Sequence, residues 1–130
     1  MFEDPQGPIA RFSWGRFVIQ GGEQARSDDA LSGASQDIRL IGNQVTAWKE
    51  RRGHRLNPSL ITGVYDQDVE VLIIGTGVFG RLKCPDAVKQ AIQEHGIETV
   101  INQRTPDACR TYNALYRQGV RVALLAHGTC

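Results

Sequence analysis

The second half of the chain carries the pattern that constrains the fold most, three apolar runs separated by two helical segments. Residues 69–74 form a short, nearly continuous apolar run, which is typical of a strand covered on both faces in a parallel sheet. Two more apolar runs follow at residues 97–101 and 120–125. Residues 69–126 therefore predict a β-α-β-α-β unit, whose crossover connections are normally right-handed around a largely parallel sheet.

The two helical segments have the same boundary residues. Each begins with proline followed by aspartate, which favour the first turn, and each is followed by glycine, which favours a left-handed stop. These signals predict helices over residues 85–95 and 106–118, with Thr105 as the cap of the second. Their inward-facing residues are expected to be Val88, Ala91, Ile92 and His95 in the first helix, and Ala108, Tyr112 and Leu115 in the second.

The first half predicts antiparallel strands, so residues 8–50 are expected to be mainly β structure. β-rich runs flank Trp14-Gly15, and alternating runs flank Gly42-Asn43. Both dipeptides suit a tight turn with positive φ, and each therefore predicts a hairpin.

The connecting segments are predicted from their polar and turn-forming residues. Residues 1–7 are expected to be flexible, and the polar residues 21–29 are expected to form a surface loop. Asn57 and Pro58 predict the start of a short helix that continues to Ile61. The sequence as a whole predicts one domain of the α/β class over residues 1–130, with antiparallel β structure contributed by the N-terminal hairpins.

Composition limits the classes of function. With 130 residues, 41% hydrophobic and 22% charged, the chain has the make-up of one globular domain. Fifteen basic and fourteen acidic residues give a net charge of +1, so no nucleic-acid partner is predicted. The N-terminus does not resemble a secretory signal and there is no long apolar stretch, so we expect no membrane span and a cytoplasmic location.

Directly after the first apolar run stands a literal GxGxxG, which is known from dinucleotide-binding folds. It comprises Gly75, Thr76, Gly77, Val78, Phe79 and Gly80. In such folds the third glycine opens the helix, but here four residues separate Gly80 from Pro85, and no acidic residue ends the next strand. The motif therefore favours a sharp turn at the edge of the sheet, and we predict no NAD or FAD cofactor.

Few side chains suggest catalysis. Cys84 stands beside Lys83 at a predicted helix start, where a thiol pKa can be lowered, although a passive role there is the favoured interpretation. His127 and Cys130 are two possible metal ligands, but two ligands make no complete site, and residues 127–130 are expected to be terminal coil. Cys84, Cys109 and Cys130 form no CxxC pair and are expected to be free thiols. We predict no catalytic residues and no metal site.

A small-ligand site, if the domain has one, is expected at the carboxyl ends of the strands, where open α/β sheets bind ligands. Residues 75–77, 102–105 and 127 onward converge there if the three strands are parallel; an antiparallel last strand would remove His127. The predicted ligand is a carboxylate or phosphate, held by glycine amides, by free N–H groups at a helix start and by an arginine. The candidate residues are Gly75, Thr76, Gly77, Arg104, Thr105 and Asn113, and the alternative is an edge that binds nothing.

Three segments together resemble a known family, namely residues 72–77 (LIIGTG), 105–115 (TPDACRTYNAL) and 119–125 (GVRVALL). The sequence is similar to a family of small domains of largely unknown function, which includes the third assembly factor of mitochondrial NADH:ubiquinone oxidoreductase and an adipogenesis-associated protein. The resemblance covers residues 8–126 and implies a three-layer fold with a mixed central sheet between helices. Where the family usually has an acid and an arginine, this chain has Gln118 and Val120.

Two functional hypotheses follow. The first is a non-enzymatic protein-binding or assembly-type module, because of the resemblance and because no complete catalytic constellation is present. The second is a binder of a small anion or metabolite, or an enzyme of unrecognised type, that uses Gly75–Gly77 at the edge of the sheet.

Overall fold

The computed structural model describes residues 1–20 and 37–130, so the loop predicted at residues 21–29 lies outside the described part of the chain. In chain order the strands are β1 (Phe2–Glu3), β2 (Ile9–Ser13), β3 (Arg16–Ile19), β4 (Asp37–Ile41), β5 (Gln44–Ala47), β6 (Val71–Gly75), β7 (Thr99–Gln103) and β8 (Val122–His127). The α-helices are α1 (Asp86–Glu94) and α2 (Thr105–Arg117), and a 3-10 helix spans Pro58–Leu60.

The central sheet contains five strands in the order β5-β4-β8-β6-β7. β6 lies parallel to both β7 and β8, whereas β4 lies antiparallel to both β8 and β5. The predicted α/β class with a mixed central sheet is confirmed. The direction of β8, which the sequence left open, is parallel to β6.

The two predicted hairpins belong to different sheets. β2 and β3 turn at Gly15, whose φ is +70°, and together with β1 they form a separate three-stranded antiparallel sheet. β4 and β5 turn at Gly42, whose φ is +60°, and they join the central sheet because β4 pairs along β8. Phe2 in β1 is buried, although residues 1–7 were expected to be flexible.

The two faces of the central sheet pack in two hydrophobic cores. Along β6 the side chain of Ile73 enters the first core, and its neighbours Leu72 and Ile74 enter the second, as the alternation of a strand requires. The first core contains Phe12 and Phe17 of the small sheet and Ala108 and Tyr112 of α2, and the second contains Trp48 together with Val88 and Ile92 of α1. Each buried Leu, Ile, Val or Phe side chain of this kind contributes about 1.5–3 kcal/mol. Helices therefore cover both faces of the sheet, as the three-layer expectation requires.

The helix starts differ in detail from the prediction. α1 has Pro85 as its N-cap, so Cys84 is not the cap residue. α2 has Arg104 as its N-cap and Thr105 as its first helical residue, with no side-chain capping bond. The predicted cap role of Thr105 is therefore wrong, because its hydroxyl bonds to Gly77 in the loop after β6 and to His127 of β8 instead of to its own helix. The short helix after Asn57 is observed as the 3-10 helix, and the Asn57 side chain accepts from the Ser59 N–H.

None of the helices in the described parts of the chain combines the length and the apolar character that crossing a bilayer would require.

Candidate functional site at the carboxyl-end rim of the sheet

Four strands of the central sheet end on the same side of the sheet, and the strand ends form one of its edges. β5, β6, β7 and β8 all run in the same direction and finish at this edge, and β4 begins there. We call this edge, with the segments 51–56, 75–85, 102–105 and 127–130, the rim. Topology thus brings together residues that lie far apart in the sequence.

Thr105 is the junction of the rim. Its buried hydroxyl accepts a hydrogen bond from the Gly77 N–H at 2.9 Å and donates one to the carbonyl oxygen of His127 at 2.7 Å. The Thr105 N–H itself donates to the Gly77 carbonyl, and the Thr76 N–H donates to the Gln103 carbonyl. The backbone N–H groups that were predicted to bind an anion therefore already form hydrogen bonds within the protein.

Position 77 requires glycine because Cys130 passes close to it. Its φ is +99°, and a Cβ at this position would lie 2.4 Å from the carbonyl carbon of Cys130. The next residue, Val78, donates its N–H to the Thr129 carbonyl at 2.6 Å. Gly75 is similarly restricted, because a Cβ there would lie 2.9 Å from the Thr105 hydroxyl oxygen. His127 belongs to β8, so the predicted coil begins one residue later, at Gly128. Residues 128–130 lie outside regular secondary structure but are held against the GxGxxG loop.

The two remaining predicted ligand residues are in different places. Arg104 is exposed at the rim, where its side chain lies next to Gly80. Asn113 is buried two turns into α2, about 12 Å along the helix from Thr105. Its amide accepts from the Ile9 N–H at 3.0 Å and donates to the Ile9 carbonyl at 2.8 Å and to Asp4 at 3.0 Å. The structure therefore assigns Asn113 to joining α2 with the small sheet and does not bring it to the rim.

A buried aspartate orients one histidine of the rim. His127 is only 3% exposed, and its Nδ1 lies 2.9 Å from Oδ1 of Asp37, the residue opposite it on β4. The same oxygen accepts from the Gly128 N–H at 3.0 Å, and the guanidinium of Arg51 binds the other oxygen. Burial alone would raise the pKa of Asp37, but the hydrogen bonds from His127, Arg51 and Gly128 outweigh it and hold the pKa below its ordinary value.

The His54 ring and the Cys130 thiol lie near Nε2 of the His127 ring, the nitrogen that does not contact Asp37. Cys130 Sγ lies 3.2 Å from His54 Nε2 and 3.8 Å from His127 Nε2. The three ligand atoms all lie within 4.8 Å of one another. His54 is exposed, Cys130 is half-buried and His127 is buried, so the cluster opens to solvent on one side.

Two exposed aromatic side chains stand at the same edge. Trp14 is 50% exposed and Phe79 is 62% exposed, and their ring centroids are 5.9 Å apart. The Gly15 N–H, next to Trp14, donates to the Gly128 carbonyl, and the Phe79 N–H donates to the Cys130 carbonyl. We call Trp14 and Phe79 the aromatic pair. The carbonyl groups of segment 128–130 accept hydrogen bonds from the backbone at or next to both of these residues.

The pKa values of the other two thiols, Cys84 and Cys109, are both raised. Burial raises the pKa of Cys84, and the hydrogen bond from Asn102 only partly opposes this effect. Cys109 is fully buried in α2, and burial raises the pKa of its thiol far above the ordinary value. The raised pKa argues against an activated thiolate at Cys84.

A cavity of about 530 Å³ lies at the opposite edge of the sheet. Its walls include Ile41, Val69 and Tyr116, and Arg121 at its border forms ion pairs with Asp68 and Glu70. Among the described residues, the cavity holds no cluster of metal-ligating side chains and its Arg121 is already paired, so the rim is the better candidate site.

The sequence identified His127 and Cys130 as possible metal ligands, but it did not identify His54 or Asp37 as their neighbours. His54 follows β5 and Asp37 opens β4, and neither has a local motif that connects it with residues 127–130. The only available signal was the alternating pattern of the second hairpin, which could have suggested that β5 ends at the same edge as the parallel strands.

Comparison with known proteins identifies the family. Residues 9–127 match the model of a protein family of unknown function (DUF498/DUF598), so the chain belongs to that family. A conserved hypothetical protein of Pyrococcus horikoshii is 21% identical, with a TM-score of 0.69 over 94% of this chain and 98% of its own. An outer membrane protein of Bartonella henselae is 24% identical, with a TM-score of 0.71 over 95% of each chain.

A further solved structure, a Mth938-like domain of Bordetella pertussis, is 18% identical, with a TM-score of 0.57 over 98% of this chain and 91% of its own. At these identities the likenesses show the shared fold.

Proposed function

We propose that this member of the DUF498/DUF598 family is a non-enzymatic, protein-binding module of the assembly type, and that its partner docks on the rim. The aromatic pair is the observation that carries the proposal. Tryptophan and other aromatic side chains dominate the energetics of protein interfaces, because they bury large areas and lose little conformational freedom. Single exposed apolar residues are common on protein surfaces, but two in contact form a larger anchor.

The loop that carries Phe79 is held in place before any partner binds. Besides the Phe79 N–H, the N–H groups of Val78 and Arg81 donate to carbonyls of Thr129 and Cys130, at 2.6 and 3.1 Å. A surface that is already ordered loses less entropy on association, which favours affinity.

The charges around the aromatic pair indicate the chemistry of the partner. Arg81 and Arg104 are exposed at the rim, and neither forms an ion pair with a carboxylate of the described residues. Two such guanidiniums favour a negatively charged partner through long-range attraction and through hydrogen bonds to carboxylates. The partner that fits is an acidic protein segment that carries at least one apolar side chain.

The test is quantitative affinity capture followed by measurements with the purified partner. The variant Trp14→Ser/Phe79→Ser should lose a protein that the unmodified chain captures, whereas the control Val18→Ser, an exposed change on β3, should retain it. Isothermal titration should then show binding to that protein weakened by at least about tenfold in the double variant, since each lost aromatic anchor costs more than about 1 kcal/mol.

The contribution of Arg81 and Arg104 to partner binding is tested separately. Arg81→Glu/Arg104→Glu should weaken binding of the same partner and flatten its salt dependence, whereas Lys89→Glu on α1 should do neither. Capture of the same proteins by the double aromatic variant would refute the proposal, as would an affinity that does not change with salt.

The anion-binding alternative retains one supporting observation, the exposed Arg104 guanidinium beside Gly80. Its other predicted donors are bonded internally, so an anion would bind through the side chain more than through the loop. Titration with phosphate, followed by amide NMR, should shift Gly80 and Arg104 if this site exists, and no shift there would reject it. The cytoplasmic location stays a prediction from the sequence.

A further inference from the structure

The side chains of His54, His127 and Cys130 form a cluster within the rim that has no part in the proposed contact with a partner through the aromatic pair. The separations from Cys130 Sγ to the Nε2 atoms of His54 and His127 are 3.2 and 3.8 Å. At the usual Zn–N and Zn–S distances of about 2.0–2.1 and 2.3 Å, ligand atoms of a tetrahedral site lie about 3.3–3.6 Å apart. Both separations from Sγ are within a few tenths of an ångström of this range, and all three ligand atoms lie within 4.8 Å of one another.

We propose that His54 Nε2, His127 Nε2 and Cys130 Sγ bind one Zn²⁺ ion, with the fourth position open to solvent. Zinc accepts this mixed nitrogen and thiolate set, and three protein ligands with an open position are typical of exchangeable or catalytic zinc. On binding, the Cys130 thiol releases its proton to solvent and the thiolate replaces the S–H contact with the metal bond.

Asp37 supplies the outer interaction that such sites use. Histidine ligands of metals commonly donate their second ring N–H to a carboxylate, which fixes the tautomer and the ring orientation. The Nδ1 of His127 is on Asp37 at 2.9 Å, so the Nε2 lone pair is directed toward Cys130 and His54. The Thr129 hydroxyl also lies 3.4 Å from this Nε2 and would rotate away on metal binding.

The other two ligands are positioned by backbone bonds. The Lys83 N–H donates to the His54 carbonyl at 2.8 Å, and Arg55 forms an isolated parallel bridge with Lys83. The Cys130 carbonyl accepts from the N–H groups of Phe79 and Arg81. The exposed ring of His54 leaves a path by which the ion can enter.

The experiment uses the full chain with a tag that lacks histidine, stripped of metal with a chelator. Isothermal titration with Zn²⁺ alone should give one ion per chain. His54→Gln and Cys130→Ser should each weaken Zn²⁺ binding by more than about 100-fold, and Asp37→Asn by about 10–100-fold, as expected for an outer-shell partner. The matched controls His95→Gln and Cys84→Ser should bind as the unmodified chain does.

Co²⁺ gives an independent readout of thiolate ligation. The Co²⁺ form of the unmodified chain and of Cys84→Ser should show a sulfur-to-cobalt charge-transfer band, which Cys130→Ser should lack. Because His54 is exposed, His54→Gln should fold normally, and circular dichroism checks this for every variant. The proposal is overturned if the unmodified chain does not bind Zn²⁺, or if folded His54→Gln and Cys130→Ser bind it equally well.

Discussion

The hydroxyl of Thr105 should contribute more to the free energy of unfolding than its methyl group does. Valine has nearly the same shape as threonine, so Thr105→Val removes the hydroxyl and leaves the Gly77 N–H and the His127 carbonyl buried without this partner. Each of these two buried polar groups costs about 1–3 kcal/mol when it loses its bond, so the expected loss in the free energy of unfolding is about 2–6 kcal/mol. That is a large part of the roughly 5–15 kcal/mol that stabilises an ordinary domain.

Thr105→Ser provides the comparison, because serine keeps the hydroxyl and loses only one buried methyl group. The expected loss is about 1 kcal/mol. The same two substitutions at Thr111, half-buried on α2 and without a side-chain hydrogen bond in the described parts of the chain, control for helix propensity and should change stability by about 0.5 kcal/mol or less.

Urea denaturation, followed by the fluorescence of the buried Trp48, measures these differences. The order of stability should be unmodified chain, then Thr105→Ser, then Thr105→Val, with an unchanged dependence on urea. If Thr105→Val were as stable as Thr105→Ser, the hydroxyl would not be the junction of the rim.

Three further predictions concern other parts of the molecule. Gly77→Ala should destabilise the fold by about 2 kcal/mol or more, because of its positive φ and its contact with Cys130; thermal unfolding measures this, and an unchanged midpoint would contradict it. The hydrogen bond from Arg117 lowers the pKa of Asp4 below 3.8, so the stability that Asp4 contributes is present above about pH 4 and lost as the pH falls further. The stability difference between the unmodified chain and Asp4→Asn should therefore disappear in acid, and a difference that grows there would refute the sign. Cys109 should be alkylated last of the three thiols, as mass spectrometry of timed samples can show.

Local patterns predicted the elements well because their causes are local. The apolar run of β6, the proline and glycine boundaries of both helices and the glycine turns of both hairpins each depend on a few neighbouring residues. The class of the fold follows from their order along the chain.

The site was less predictable because it depends on pairing over long distances. Asp37 meets His127 only because β4 lies beside β8, a pairing between residues 90 positions apart. The role of Thr105 was assigned wrongly for the same reason. The cap rule considers only its own helix, whereas the competing partners are Gly77, in the loop after β6, and His127, at the end of β8. The backbone N–H groups that were predicted to bind an anion already form hydrogen bonds within the protein, because the segments that converge at the strand ends bond to one another.

The proposed zinc site and the aromatic pair share the segment 128–130, and this predicts a coupling between them. The Cys130 side chain would hold the ion, and its carbonyl accepts from the Phe79 and Arg81 N–H groups at 3.3 and 3.1 Å. Fixing the thiolate on a metal should restrict this residue and so reduce the opening of both hydrogen bonds. Hydrogen exchange of these two amides should slow on addition of Zn²⁺ in the unmodified chain but not in His54→Gln, while the amides of β2 should be unaffected in either. Equal exchange with and without Zn²⁺, in a chain shown by titration to be saturated, would mean that metal binding and the docking surface are independent.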